Sequence, residues 1–210
     1  MDGLLGDSKD GLLFILSAPA GTGKTTLIKM LAEEFNEVIA SISYTTREPR
    51  GDEKHGKDYH FTTQKEFEVK INASDFLEYV RLYDTYYGTS KKWVEEQRRM
   101  GKHVFLVIDT QGALQLKGKI DAIYIFVRPP SLEVLKTRLM NRQTDSAEMV
   151  NKRLEWASTE LKFADQYDYQ IVNDSLNEAY QVLRSILIAE CHRQRPKAKK
   201  LDKIKGDNDG

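Results

Sequence analysis

Short apolar runs alternate along the chain with amphipathic stretches, a pattern typical of repeated strand–helix units. Two of the runs, residues 103–109 and 123–127, are almost wholly apolar, as expected of parallel strands that are buried on both faces. We therefore predict an α/β fold in which helices flank a parallel sheet. The runs predicted as strands are 12–16, 38–43, 76–82, 103–109, 123–127 and 170–174.

Helices are predicted where a capping residue precedes an amphipathic stretch, as in the capping box of Thr63 and Glu66. Residues 44–61 are polar and interrupted by proline and glycine, which predicts an irregular loop, and 83–89 are predicted to form a turn. The tail, 193–210, has the composition of a disordered segment. The predicted helices are 25–35, 63–72, 90–100, one from 131, a long one from about 145, and 175–191.

The composition of the 210 residues is that of an ordinary globular protein, with 30% charged and 40% hydrophobic residues. A formal net charge of zero argues against a general polyanion binder, so we expect no nucleic-acid partner. One cysteine, Cys191, excludes an intrachain disulfide framework and fits a reducing compartment. We see neither a signal peptide nor a transmembrane run, and expect a cytoplasmic protein with no obligate protein partner.

A glycine-rich turn separates the first predicted strand from the first helix, and it has the composition of a phosphate-binding loop. Gly21 and Gly23 would let backbone N–H groups surround an anion, Lys24 would reach the β and γ phosphates of a nucleotide, and Thr25 would offer a hydroxyl to Mg²⁺. The strict pattern begins with glycine where this chain has Ala18, and the alternative is a turn that binds nothing. The expected loop residues are Ala18, Pro19, Ala20, Gly21, Thr22, Gly23, Lys24, Thr25 and Thr26.

Four charged residues outside this loop are candidates for the same site. Arg47 and Arg50 would form a clamp for a second phosphate, although on composition alone a solvated loop is the simpler interpretation. Glu78 lies within an apolar run and needs a partner unless it faces the surface. Asp109 ends a predicted core strand, where it would hold magnesium or orient a substrate, or would be a strand-end acid without a role in binding.

Two arginine-bearing helices flank a polar corner at 141–146. Arg138 and Arg142 lie four residues apart, and Arg153 is on the following helix. Such a corner resembles a mobile lid more than a core element. The alternative is that these arginines only solvate helix faces.

With these segments assembled, the chain resembles the guanylate kinase family over about residues 11–192. The most specific match is Thr-Thr-Arg-Glu-Pro-Arg at 45–50 followed by Gly-Lys-Asp-Tyr at 56–59. The resemblance implies three parts: a core with an ATP site (11–42, 91–130 and 158–192), a GMP-binding region (43–90) and a lid (131–157). Further matching segments are 17–26, 86–89, 108–112, 151–154 and 171–174.

The resemblance also implies the activity, which is in-line transfer of a phosphoryl group from ATP to GMP, and to dGMP, with Mg²⁺. Lys24, Arg47, Arg142 and Arg153 would be catalytic, with Arg138 near the lid arginines and Asn173 near the adenine of ATP. Glu78 and Thr89 would read the guanine, and Asp109 would lie between the base and the phosphates. The residues implied to hold the GMP phosphate are Ser43, Arg47, Arg50, Tyr59 and Tyr87.

Two other functions stay open at this point. One is a non-catalytic interaction module with the same fold, which the intact Lys24 and Thr25 argue against. The other is a kinase for a different nucleoside monophosphate. Members of the family often have an acid where this chain has Val107 and a glycine where it has Gln143, and Gly51 is shifted by one place.

Overall fold

The apolar runs form two separate sheets in the computed structural model, which describes residues 3–6, 9–82, 84–141 and 147–194. A five-stranded sheet has the order β2-β7-β1-β8-β9, and all of its strand pairs are parallel. A four-stranded sheet has the order β4-β3-β6-β5 and is mixed. The strands are β1 Leu13–Ser17, β2 Val38–Ala40, β3 Tyr44–Thr45, β4 His60–Phe61, β5 Phe76–Leu82, β6 Thr85–Ser90, β7 His103–Ile108, β8 Ile123–Arg128 and β9 Tyr169–Val172.

Helices cover both faces of the parallel sheet, which confirms the predicted fold class. Alternate residues of β1 explain this: Phe14 packs towards one helical layer and Ile15 towards the other. Both neighbouring strands of β1 are also apolar on both faces, so their runs are continuous rather than alternating. The helices are α1 Lys24–Glu34, α2 Gln64–Asn72, α3 Lys91–Arg99, α4 Thr110–Leu116, α5 Leu132–Met140, α6 Ala147–Leu161 and α7 Leu176–His192, with a 3-10 helix at Ala164–Gln166.

Local capping signals place the helix ends correctly. Thr63 and Glu66 form the predicted capping box at the start of α2. Ser131 and Ser175 accept hydrogen bonds from the third residues of α5 and α7. These ends depend only on residues three apart in sequence, so the sequence alone predicts them.

Three predictions were wrong and one helix was missed, because contacts with distant residues determine the local structure. Most of the predicted turn at 83–89 is strand β6, which pairs with β5 and β3. The predicted loop at 44–61 contains the two-residue strands β3 and β4, and α4 follows Asp109 where no helix was predicted. The predicted strand at 38–43 ends at Ala40.

The structure reaches only the first residues of the tail that was predicted to be disordered. The last helix ends at His192, and the predicted disorder of the tail falls, from residue 195 onwards, outside the described residues. Among the helices that the structure describes, none combines the length and the apolar character needed to span a bilayer.

His103, the first residue of β7, is a buried titratable side chain of the parallel sheet. Its side chain is buried, its Nδ1 accepts the backbone N–H of Leu12 at 3.1 Å, and its Nε2 lies 3.6 Å from the Cys191 sulfur. Burial lowers the pKa of His103, and this outweighs the opposite effect of Glu37. The folded protein therefore favours the neutral imidazole.

We predict that the free energy of unfolding falls as the pH drops below about 6.5, because the unfolded chain takes up the proton that folded His103 resists. Urea unfolding of the natural protein and of His103→Asn between pH 5 and pH 8 measures this, since asparagine does not titrate. The difference between the two proteins isolates His103 from other groups that titrate in this range, among them His60, which acts in the same direction, and Glu78, which acts in the opposite direction. Parallel stability curves would contradict the prediction.

Candidate active site

A cleft of about 570 Å³ lies between the parallel sheet, the mixed sheet and helix α6. It brings together residues from four separate parts of the sequence. The residues that line it are Ala18, Ala20, Lys24, Ser43, Arg47, Arg50, Tyr59, Glu78, Val80, Leu82, Thr85, Tyr87, Val107, Ile108, Asp109, Met149, Arg153, Trp156 and Glu160. Most of the candidates from the GMP-binding region therefore share one cavity with Lys24.

The glycine-rich loop curls between β1 and α1, as predicted. Gly21 and Gly23 both have a φ of 91°, a left-handed conformation that favours glycine. A Cβ at Gly23 would lie 2.6 Å from Nδ2 of Asn173, which donates to the Thr22 carbonyl at 2.6 Å. Asn173 thus supports the loop from the end of β9, and Gly23 is required for space as well as for backbone conformation.

Lys24 is held across the loop rather than extended away from it. Its Nζ donates to the carbonyl oxygens of Ala18 at 2.5 Å and of Pro19 at 3.4 Å. The backbone N–H groups in the first turn of α1 have no side-chain cap from Gly23. This arrangement of an ammonium group and uncapped N–H groups suits an anion.

The chemistry of this loop fits a nucleotide-bound magnesium ion. Thr25 is exposed in the first turn of α1 beside Lys24, where its hydroxyl oxygen is a ligand type that Mg²⁺ uses. Within the described ranges, no group of three or more His, Cys, Asp or Glu side chains forms a metal site. Magnesium that takes most of its ligands from phosphates and water needs no such cluster.

Glu53 organises the arginine clamp, and sequence analysis did not identify it. The Arg47 guanidinium donates to both Glu53 carboxylate oxygens, at 2.8 and 2.9 Å, and the Arg50 backbone N–H donates to Glu53 at 2.8 Å. Hydrogen bonding to Arg47 lowers the pKa of Glu53 despite partial burial. The regular spacing Arg-x-x-Arg-x-x-Glu was the available signal.

Three hydroxyl-bearing side chains line the cleft beside the clamp. The Tyr59 and Tyr87 rings meet edge to face, with 6.1 Å between their centroids. The Arg47 guanidinium lies 5.1 Å from the centre of the Tyr59 ring. Burial raises the pKa of Tyr59, which keeps its hydroxyl protonated and able to donate. Ser43, just before β3, completes the group.

Glu78 is buried, with 4% of its surface exposed, so it is not a surface residue. It lies opposite Thr89 in the β5–β6 pair, and the Thr89 hydroxyl donates to its Oε1 at 2.6 Å. Thr89 therefore orients the carboxylate in this structure instead of donating into the cleft. Burial, together with the neighbouring charge of Asp109, raises the pKa of Glu78 to about 7.

Asp109 has a structural role as well as a place in the cleft. Its side chain caps α4 by accepting the Gly112 N–H at 2.8 Å. Burial raises the pKa of Asp109, while the N–H bonds and the charge of Lys24 act against that shift. Its carboxylate therefore faces a cation across the cleft and a helix N-terminus on its own side.

Helix α6 presents one face to the cleft, and sequence analysis identified only Arg153 on that face. Met149, Arg153, Trp156 and Glu160 are spaced three or four residues apart, the spacing of a single helical stripe. Glu160 is buried and accepts a hydrogen bond from the Thr110 hydroxyl at 3.0 Å. The spacing of these four residues was the sequence feature from which this face of α6 could have been predicted.

Two other predicted residues, Arg138 and Asn173, lie beside the glycine-rich loop, and a third, Arg142, lies outside the described residues. Arg138 donates to the backbone oxygens of Asn173 at 2.9 Å and Asp174 at 3.2 Å. Arg138 and Asn173 are therefore neighbours, next to the glycine-rich loop. Arg142 belongs to 142–146, which are outside the described residues.

Comparison with known proteins identifies the family. A family model described as guanylate kinase matches residues 11–190. The chain is 68% identical over 188 residues to the guanylate kinase of Protochlamydia amoebophila (strain UWE25), covering 90% of this chain and 95% of that relative. The chain belongs to the guanylate kinase family. This confirms the resemblance drawn from the sequence.

More distant guanylate kinases agree. The guanylate kinase of Chlamydia trachomatis serovar D is 47% identical over 192 residues, which cover 89% of this chain and 94% of the relative. The crystal structure of guanylate kinase from Anaplasma phagocytophilum superimposes with a TM-score of 0.73 at 32% identity, covering 88% of each chain. Sequence and fold therefore give the same family.

The environment of Glu78 leads to a titration prediction. Carbon-detected NMR of the side-chain carboxyl groups should show Glu78 titrating near pH 7, far above exposed Glu66, whose pKa hydrogen bonds at Thr63 lower to about 2. Thr89→Val should raise the pKa of Glu78 further, because it removes a donor to the carboxylate. Asp109→Asn should lower it by removing a neighbouring negative charge. An ordinary value of about 4.3 in the natural protein would contradict this.

Proposed function

We propose that this protein transfers the γ-phosphoryl group of ATP to GMP, and to dGMP, producing ADP and the nucleoside diphosphate. The observation that carries the proposal is the convergence of Lys24, the Arg47–Arg50 clamp, Glu78 and Arg153 in one cleft. Membership of the guanylate kinase family supports it. The shared cleft offers cations to two phosphate groups and an acceptor to a base.

The GMP phosphate is assigned to the clamp. Arg47 and Arg50 would supply the charge, and the hydroxyl groups of Ser43, Tyr59 and Tyr87 would supply neutral donors. All five line the cleft. Because Glu53 holds Arg47 through two hydrogen bonds, the guanidinium is already oriented before a phosphate binds.

The guanine is assigned to Glu78. Guanine presents N1–H and N2–H₂ donors on one edge, and a carboxylate accepts from both. Adenine would place an unprotonated N1 against the same carboxylate, and an unpaired buried polar group costs about 1–3 kcal/mol. Thr89 and Asp109, which interact with Glu78, complete the proposed base site.

The ATP phosphates are assigned to the loop 18–26, with Lys24 bridging towards the β and γ phosphates. Thr25 would hold Mg²⁺, which neutralises phosphate charge when bound. Asn173 and Arg138 would lie near the adenine. Their position beside the loop, and not in the cleft, supports a separate base site for ATP.

The charges of the two substrates determine what the protein must supply for phosphoryl transfer. The acceptor oxygen of a monophosphate is already anionic at neutral pH, so the reaction needs no strong base; it needs positive charge between two polyanions. Lys24, Arg47 and Arg153 would provide this charge, together with Arg142, which lies outside the described residues.

The division into core (11–42, 91–130, 158–192), GMP-binding region (43–90) and closing lid (131–157) belongs to this proposal, as does a cytoplasmic location. Closure of the lid would exclude water, a competing acceptor.

The decisive test is a substrate profile. ADP release from ATP and Mg²⁺ should be measured with GMP, dGMP, AMP, CMP, UMP and dTMP. We expect GMP to give the highest kcat/KM, and Lys24→Ala, as the control for contaminating kinases, to lose activity about a hundredfold or more while still binding GMP. Turnover preferring another monophosphate would refute the assigned substrate. Binding of GMP without turnover would favour an interaction module.

A second prediction separates Glu53 from its neighbours. Glu53→Gln should raise the KM for GMP by about five- to twentyfold, because Arg47 loses a charged partner that orients it, a contribution of about 1–2 kcal/mol. The KM for ATP should change little. Glu48→Gln makes the same charge change at an exposed neighbouring side chain and is the matched control. Equal effects of the two substitutions would contradict the role given to Glu53.

A further inference from the structure

Helix α4 crosses strand β5 at a buried glycine, Gly112. A Cβ placed on Gly112 would lie 2.7 Å from Oε2 of Glu78, 3.4 Å from Cδ of Glu78 and 3.3 Å from Oδ1 of Asp109. Real side chains do not approach an oxygen as closely as the first of these distances. The carboxyl groups of buried Glu78 and half-buried Asp109 therefore use the space that a side chain at position 112 would fill.

The backbone itself does not require glycine at this position. Gly112 lies inside α4 without the positive φ of Gly21 and Gly23. A glycine within a helix is less favourable than alanine, because it has more conformational freedom to lose. Space beside Glu78 is the feature that distinguishes this position.

We infer that Gly112 is a specificity-determining positioning residue, and this inference rests on the proposed reading of guanine by Glu78. The absence of a side chain admits the Glu78 carboxylate beside the first turn of α4. The Gly112 N–H donates to Asp109 at 2.8 Å, so the same residue positions both carboxyl groups. Gly112 acts through them.

A methyl group at this position would move the carboxylate and leave the fold in place. Oε1 of Glu78 is held by the Thr89 hydroxyl at 2.6 Å, so the side chain is constrained on one side and would be pushed from the other. The atom that would clash is the far end of a flexible side chain, which yields more readily than backbone. The variant would fold, but its Glu78 carboxylate would no longer face the guanine.

The test is Gly112→Ala in the full chain. We expect the KM for GMP to rise about tenfold or more, as for a lost hydrogen bond to a charged group, while the KM for ATP stays within about twofold. Thermal unfolding should stay cooperative, because the better helix propensity of alanine offsets part of the cost of displacing a buried carboxylate. Gln115→Ala, at an exposed position of α4, is the control and should leave both KM values unchanged.

A second variant tests the mechanism. Glu78→Asp shortens the side chain by one methylene and withdraws the carboxylate from position 112. Adding Gly112→Ala to that variant should then raise the KM for GMP by no more than about threefold, because the two residues are coupled. If the alanine has the same effect in both backgrounds, Gly112 does not act through Glu78 and the inference is wrong.

Glu78→Gln separates this inference from the proposed function. If Glu78→Gln leaves the preference for GMP over AMP unchanged, the assignment of Glu78 fails, and the inference about Gly112 fails with it. If that preference falls but Gly112→Ala binds GMP normally, only the inference is overturned. Equal rises in the KM for GMP and for ATP in Gly112→Ala would show a general disturbance and would also overturn it.

Discussion

Pairing each cation with an oxygen acceptor that orients it is the constraint on which the structure around the cleft and the glycine-rich loop depends. Lys24, Arg47 and Arg138 are each bonded to oxygen atoms supplied by nearby chain: the Ala18 carbonyl, the Glu53 carboxylate and backbone carbonyls after β9. Phosphate oxygens are acceptors of the same kind, so an incoming phosphate can replace or join these partners without a large rearrangement of the cation. The partners thus fix the orientation of each cation.

The acidic side chains of the cleft need hydrogen-bond donors, just as its cations need acceptors. Glu78 is buried and its neighbour Asp109 is half-buried, and the loss of solvent raises the pKa of both. The Thr89 hydroxyl and the Gly112 N–H compensate by donating to them. The cleft therefore holds both acceptors that suit the donors of a base edge and cations that suit phosphates. A nucleoside monophosphate carries these two chemistries at its two ends.

Local signals made the loop and the core predictable. The glycines from Gly21 to Lys24 and the helix that follows them mark the loop in the sequence, and strands buried on both faces are apolar almost throughout. Strand β6 and helix α4 were missed because pairing and packing with distant residues determine them. Likewise, the donation of the Thr89 hydroxyl to Glu78 depends on cross-strand register, which composition does not show.

The short helix α4, which was not predicted, links the regions that the sequence assigned separately. Asp109 caps it and lines the cleft, Gly112 in its first turn meets Glu78 of the mixed sheet, and Thr110 donates to Glu160 of α6. Ala113 and Leu116 are buried in the same helix and fix it against the parallel sheet. Because these contacts lie within one turn or two of a packed helix, a displacement of α4 would shift Glu78 and the C-terminal end of α6 together. One short packed helix thus positions Glu78 and Asp109, the two acids assigned to the guanine in the proposal, together with Glu160 of α6.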